Sequence, residues 1–170
     1  MALALFEGMT EPTSPRRFAH FGAILLTALG LIPGGARLLE MPPRLLYDAQ
    51  MYMDVTLTLY PLYGSVAAII QIFAIVAAAL LTFLTRKRRI FPVALTGTLC
   101  LIVSVAIWFF VVGPVNALWM EAAAAAPGTA PELFLELRSR WEYGHLAAFL
   151  AWFVGYCLIL YSAFLYRPHP

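Results

Sequence analysis

Residues 62–84 read LYGSVAAIIQIFAIVAAALLTFL, without one Asp, Glu, Lys or Arg. A helix needs about 20 mostly apolar residues to cross roughly 30 Å of hydrocarbon, so this run is long enough to span a bilayer. Three further runs share the property: about Phe18–Leu39, Pro92–Val112 and His145–Tyr166, each without a charged side chain in its central part. Backbone amides and carbonyls in lipid must pair within their own segment, which requires helices. The expected fold is therefore all-α, an integral membrane four-helix bundle forming a single membrane domain over residues 1–170.

Composition supports the same class. The 170 residues are 62% hydrophobic and 12% charged, with mean hydropathy +0.83. Soluble domains carry about 25% charged residues, so this chain has too little polar surface to cover a globule in water. The segment Met1–Pro15 contains Glu7 and Glu11 and has no basic start; it is expected to be a frayed or surface-lying tail rather than a cleaved leader. Cys100 and Cys157 both fall in apolar runs, where the expectation is small apolar packing rather than a disulfide.

The net charge of +2 says little, but its distribution says more. With four spans, Arg16, Arg17, Arg86, Lys87, Arg88, Arg89 and Arg167 share one side. Arg37, Arg44, Arg138 and Arg140 lie on the other, with seven of the nine acids. The positive-inside bias puts both termini in the cytoplasm of a cell inner (plasma) membrane protein. The Arg86–Arg89 loop reads as a topology signal that can also touch anionic lipid. It is too short to argue for nucleic acid.

The outer ends of the helices carry the polar features. Gly30 and Gly34 make a G-x-x-x-G pair suited to close helix approach, and Pro33 between them removes a backbone donor. Arg37 and Glu40 follow at i,i+3 spacing before Met41-Pro42-Pro43 ends the element. Either they form an interfacial ion pair capping the helix, or they turn inward over a polar pocket. Residues 44–60 alternate Met53, Val55, Leu57 and Leu59 with Asp54, Thr56, Thr58 and Tyr60, which reads as a strand; no partner strand is visible, so a surface-lying segment fits as well. Tyr47, Tyr52, Tyr60 and Tyr63 suit an aromatic belt at the headgroups. Gln71 is the main polar group of the second helix, expected to bond a neighbouring helix.

The third helix is expected to extend past Pro114, with a kink there, to about 126 through Trp119 and a run of alanines. Pro127-Gly128 stops it, and Thr129-Ala130-Pro131-Glu132 is a capping box with an early proline. From there apolar and small residues recur at three- and four-residue spacing, predicting one helix over about 131–166, roughly 50 Å long. The third and fourth helices would then stand beyond the outer membrane surface as a hairpin. On it Glu136 and Arg140 make an i,i+4 pair, and Arg138–Glu142 reads as a solvated face from which only Trp141 and His145 point inward.

Much chemistry is excluded by spacing. Three histidines, His20, His145 and His169, sit at different depths, against a bis-histidine haem, and no zinc or di-iron pattern is visible. No metal site and no cofactor are expected. What remains is a group at the outer mouth: His145, Glu40 and Asn116 as candidate catalytic residues, with Trp141, Trp119, Arg37 and Tyr143 as candidate substrate-binding residues. Histidine titrates near neutrality and can serve as acid or base, with Glu40 or Asn116 to orient it. Each of these side chains also fits an ordinary residue solvating a helix end.

Pro114-x-Asn116, then a spacer, then Arg140-Trp141-x-x-x-His145 opening the last apolar helix, resembles the bacterial anthrone-oxygenase-like family of four-helix membrane proteins. The resemblance lies mainly in the second half of the chain. It implies oxidation of a polycyclic aromatic substrate without a bound metal or flavin, and Asn116, Trp141 and His145 are the positions that would inherit the role. Two readings follow. One is a small membrane enzyme or binder of a hydrophobic small molecule near the outer leaflet. The other is a non-catalytic accessory subunit packed against other membrane subunits. Membrane lipid is a partner in either.

Overall fold

The computed structural model describes the backbone of residues 15–125 and 131–166, and the side chains of 15–121 and 136–166. Within these bounds the chain is helical throughout its long elements. They are α1 (Pro15–Arg44), α2 (Ala49–Leu84), α3 (Phe91–Ile107), a π-helical stretch Trp108–Val112, α4 (Gly113–Ala125) and α5 (Pro131–Leu165). Four helices are long and apolar enough to cross a membrane: Pro15–Arg44, Ala49–Leu84, Phe91–Glu121 and Glu136–Leu165.

Local chemistry explains the boundaries. Pro15 opens α1 and Pro92 lies in the first turn of α3, where a missing N–H costs nothing. Asp48 caps α2, its carboxylate accepting from the Met51 N–H at 2.8 Å. Where α3 meets α4 the Gly113 N–H reaches back to the Trp108 carbonyl, a wider i→i+5 closure. This sits just ahead of Pro114, the residue expected to perturb the helix. The expected Pro127-Gly128 stop and Thr129 cap lie outside the described residues.

Two expectations at the outer end are corrected. The helix does not end at Met41-Pro42-Pro43 but runs through both prolines to Arg44. Closing bonds from Leu45 N–H to the Met41 carbonyl and Leu46 N–H to the Pro43 carbonyl, each 3.0 Å, finish it. Residues 49–60 form neither a strand nor a surface-lying segment; they are the first turns of α2. The buried positions there are Tyr52, Thr56 and Tyr60, spaced by four, so the helical period governs and the apparent alternation is incidental.

Small residues set the packing. A Cβ on Gly30 would stand 2.5 Å from the Trp152 ring, and one on Gly34 2.6 Å from Phe149, so the G-x-x-x-G face brings α1 onto α5. Gly97 and Gly155 face each other between α3 and α5, and Gly144 meets Val111 and Val112. One core cluster gathers Ala23, Ala74, Ala78, Leu81, Leu101, Trp152 and Ile159. A second, toward the end remote from the Arg86–Arg89 loop, gathers Tyr52, Tyr60, Val112, Val115, Trp119, Leu137 and Trp141. Trp119 and Leu137 in one cluster join α4 to α5. The outward faces are apolar too: Ile69, Ile72, Phe73, Val76, Leu80 and Phe83 on α2 are all more than half exposed. Such a face suits lipid and not water.

Three smaller expectations also change. Among the described residues Gln71 has no hydrogen-bond partner on another helix, and it lines a cavity. Cys157 is exposed rather than buried, and Cys100 is half-buried; both are free thiols. Glu136 and Arg140 are exposed as expected, but they form no ion pair; among the described residues that role falls to Arg44 and Glu142.

Candidate functional site

The end of the bundle remote from the Arg86–Arg89 loop holds a buried polar network built by α1, α2 and α5. Arg44 is at its centre, 2% exposed. Its Nε donates to Glu142 Oε1 at 2.9 Å, Nη1 to the Tyr60 hydroxyl at 2.8 Å and Nη2 to Thr56 Oγ1 at 2.9 Å. Tyr52 donates to the same Glu142 oxygen at 2.7 Å, and Tyr60 passes its own proton to Glu40 Oε2 at 2.6 Å. A guanidinium suits this task because its planar fork presents several donors at once. Arg138 closes the rim by donating to the carbonyls of Leu45 and Tyr47 at 3.1 and 3.2 Å.

Glu142 therefore is not on a solvated face. It is 2% exposed and carries the buried ion pair. Tyr52 and Tyr60 are likewise buried in this network rather than placed in an aromatic belt. Arg44, Tyr52, Thr56, Tyr60 and Glu142 are the site residues that the sequence reading missed. Their signal was available: Tyr52, Thr56 and Tyr60 repeat every four residues, on one helical face.

Trp141 is the hinge between this network and the space beneath it. Its Nε1 donates to Asn116 Oδ1 at 2.8 Å. Its ring lies 5.4 Å from Trp119, 5.2 Å from Tyr60 and 4.2 Å from His145. The Arg37 guanidinium sits 3.0 Å over the Tyr60 ring centroid and 4.3 Å over that of Trp141, an aromatic cradle for a cation. Arg37 and Glu40 turn inward and form no ion pair with each other.

Below lies a cavity of about 210 Å³ between α1, α2, α3 and α5. Arg37 and His145 line the end of it nearest this network, and Gly30, Ala67, Ile75 and Trp152 are among its apolar walls. Several lining residues, Tyr63, Gly64, Ala68 and Ile72 on α2 with Trp108 and Phe109 of the π-helical stretch, are exposed. The cavity thus opens sideways between α2 and α3. Ser104 is spent, donating to the Ala148 carbonyl at 2.7 Å.

The sequence candidates divide accordingly. Arg37 and His145 line the cavity, Trp141 and Trp119 lie above it, and Asn116 and Glu40 hold Trp141 and Tyr60. Tyr143 is 58% exposed and takes no part. Neither Glu40 nor Asn116 orients His145, as had been expected. The ring is held by its own helix, Nδ1 lying 2.9 Å from the Trp141 carbonyl. A carbonyl only accepts, so Nδ1 carries the hydrogen and proton exchange falls to Nε2. Among the described residues no three His, Cys, Asp or Glu side chains lie together as a metal ion would need.

Four apolar spans, an apolar exterior and a buried polar layer over a side-opening cavity define a multi-pass helical membrane protein. No protein-family model, curated protein or solved structure matches the chain.

Proposed function

We propose that the cavity binds a hydrophobic, aromatic small molecule drawn from the outer leaflet, and that the protein is a small membrane enzyme or binder of the anthrone-oxygenase-like kind. One observation carries this: apolar walls open toward lipid between α2 and α3, and the closed outer end presents Arg37 and His145. In such a site His145 Nε2 exchanges a proton with an acidic position of the ligand. Trp141, fixed by Asn116, sets the height of the ring above it. The resemblance of Pro114-x-Asn116 and Arg140-Trp141-x-x-x-His145 supports the reaction class, oxidation of a polycyclic aromatic with dioxygen as the electron acceptor.

In this reading the protein sits in the plasma membrane with both termini in the cytoplasm, which places the cavity mouth in the outer half of the bilayer. The test is to purify the full chain and its His145→Ala and Asn116→Ala variants and compare the extracted lipophiles and their turnover. Folded variants with lost occupancy or turnover support the proposal. An Ala68→Trp variant that blocks the cavity without changing the extracted lipophiles sinks it. Unchanged lipophiles with lost co-purifying membrane proteins favour the accessory-subunit reading instead.

A further inference from the structure

We infer that the ligand of this cavity carries an ionised oxygen, a carboxylate or phenolate on a compact lipophilic body, and that Arg37 is its counter-charge. The inference rests on the cavity being the ligand site and adds the head group to it. Arg37, Tyr63, Gln71, Ser104 and His145, with the indole N–H groups of two tryptophans, bring polar atoms to the lining, and no lining residue is an acid. Arg37 is the only formal charge among them. Its Nη1 is buried and has no hydrogen-bond partner among the described residues.

The nearby acids are already engaged. Glu142 takes donors from Arg44 and Tyr52, and Glu40 takes the Tyr60 hydroxyl. Among the described residues no carboxylate lies within ion-pair distance of Arg37. The rings of Tyr60 and Trp141 lie 3.0 and 4.3 Å from the guanidinium carbon, a contact that leaves Nη1 without an acceptor. A buried cationic donor without an acceptor is costly, and a guanidinium stays charged at neutral pH. An anionic oxygen entering from below supplies the acceptor, and the low dielectric strengthens the bond. A neutral lipophile leaves Nη1 as it is. At about 210 Å³ the space suits a compact acid, not a two-tailed phospholipid.

The experiment is a fluorescence titration of the purified full chain in neutral detergent with 9-anthracenecarboxylate and with 9-anthracenemethanol, a matched acid and neutral pair. The acid is expected to bind roughly tenfold or more tightly than the alcohol, the effect of one charge-assisted hydrogen bond. Arg37→Gln should erase that preference, and a cooperative thermal melt reports that the variant is folded. Arg37→Lys should retain most of the preference. Equal affinities in the wild type, or a preference that survives Arg37→Gln, overturn the inference. If so, alcohol binding that Ala68→Trp abolishes keeps the cavity itself as a ligand site; failure of both probes to bind removes cavity and head group together. Loss of the preference in nanodiscs containing phosphatidylglycerol would assign Arg37 to lipid phosphate and also overturn it.

Discussion

Arg44 Nε and Glu142 Oε1 lie 2.9 Å apart across 98 positions of sequence, and both side chains are 2% exposed. This pair ties the end of α1 to α5. A buried ion pair contributes little net stability over an apolar replacement, yet leaving one partner alone is severe.

Removing only the carboxylate, as in Glu142→Ala, is therefore expected to destabilise the protein by about 3–5 kcal/mol. The double variant Arg44→Met with Glu142→Leu should recover much of that loss. Unfolding in a detergent–denaturant series measures both, and a double variant as unstable as the single one contradicts the account.

The glycines of α1 separate packing from helix propensity. A Cβ on Gly30 meets Trp152 at 2.5 Å, whereas one on Gly22 meets nothing within 4 Å. Gly30→Ala should cost about 1–3 kcal/mol by overpacking. Gly22→Ala should gain about 0.5–1 kcal/mol by relieving glycine's conformational entropy. Thermal melts of the two variants are expected to move in opposite directions.

Trp141 and Trp119 lie side by side but differ at nitrogen. Trp141 Nε1 bonds Asn116, while Trp119 Nε1 is buried with no partner among the described residues. Replacing each by Phe removes similar volume, but only at 141 is a bond broken. Trp141→Phe should be the less stable variant by about 1 kcal/mol, and equal stabilities would show that the Asn116 bond is energetically silent.

Orientation can be checked with single cysteines in a background where Cys100 and Cys157 are alanine. The Arg86–Arg89 loop and the exposed start of α2 lie at opposite ends of one helix. Gln50→Cys should react with a membrane-impermeant maleimide added to intact cells, and Lys87→Cys only after lysis. The reverse pattern would invert the topology.

The spans were legible because twenty apolar residues in a row have few other uses. The unbroken course of α5 through Gly144 was legible from its three- and four-residue spacing, and the role of Gly30 and Gly34 from their size. The polar network was not. In residues 53–60 polar and apolar side chains alternate by composition, which hid the four-residue repeat of Tyr52, Thr56 and Tyr60. Pro42 and Pro43 look like terminators, yet only the turn they continue brings Arg44 inward. Glu142 sits among Arg138, Arg140 and Tyr143, so its local setting is that of a solvated residue. Its partner is visible only once α1 and α5 are side by side.

On the proposed reading, the sideways opening between α2 and α3 changes what sets occupancy. A site that faces water fills according to the dissolved concentration of its ligand. One that faces oil fills according to mole fraction in the leaflet, where a sparingly soluble compound is already enriched by partitioning. Weak intrinsic affinity then suffices, and release returns the ligand to the lipid. For such a protein the bilayer is both solvent and reservoir.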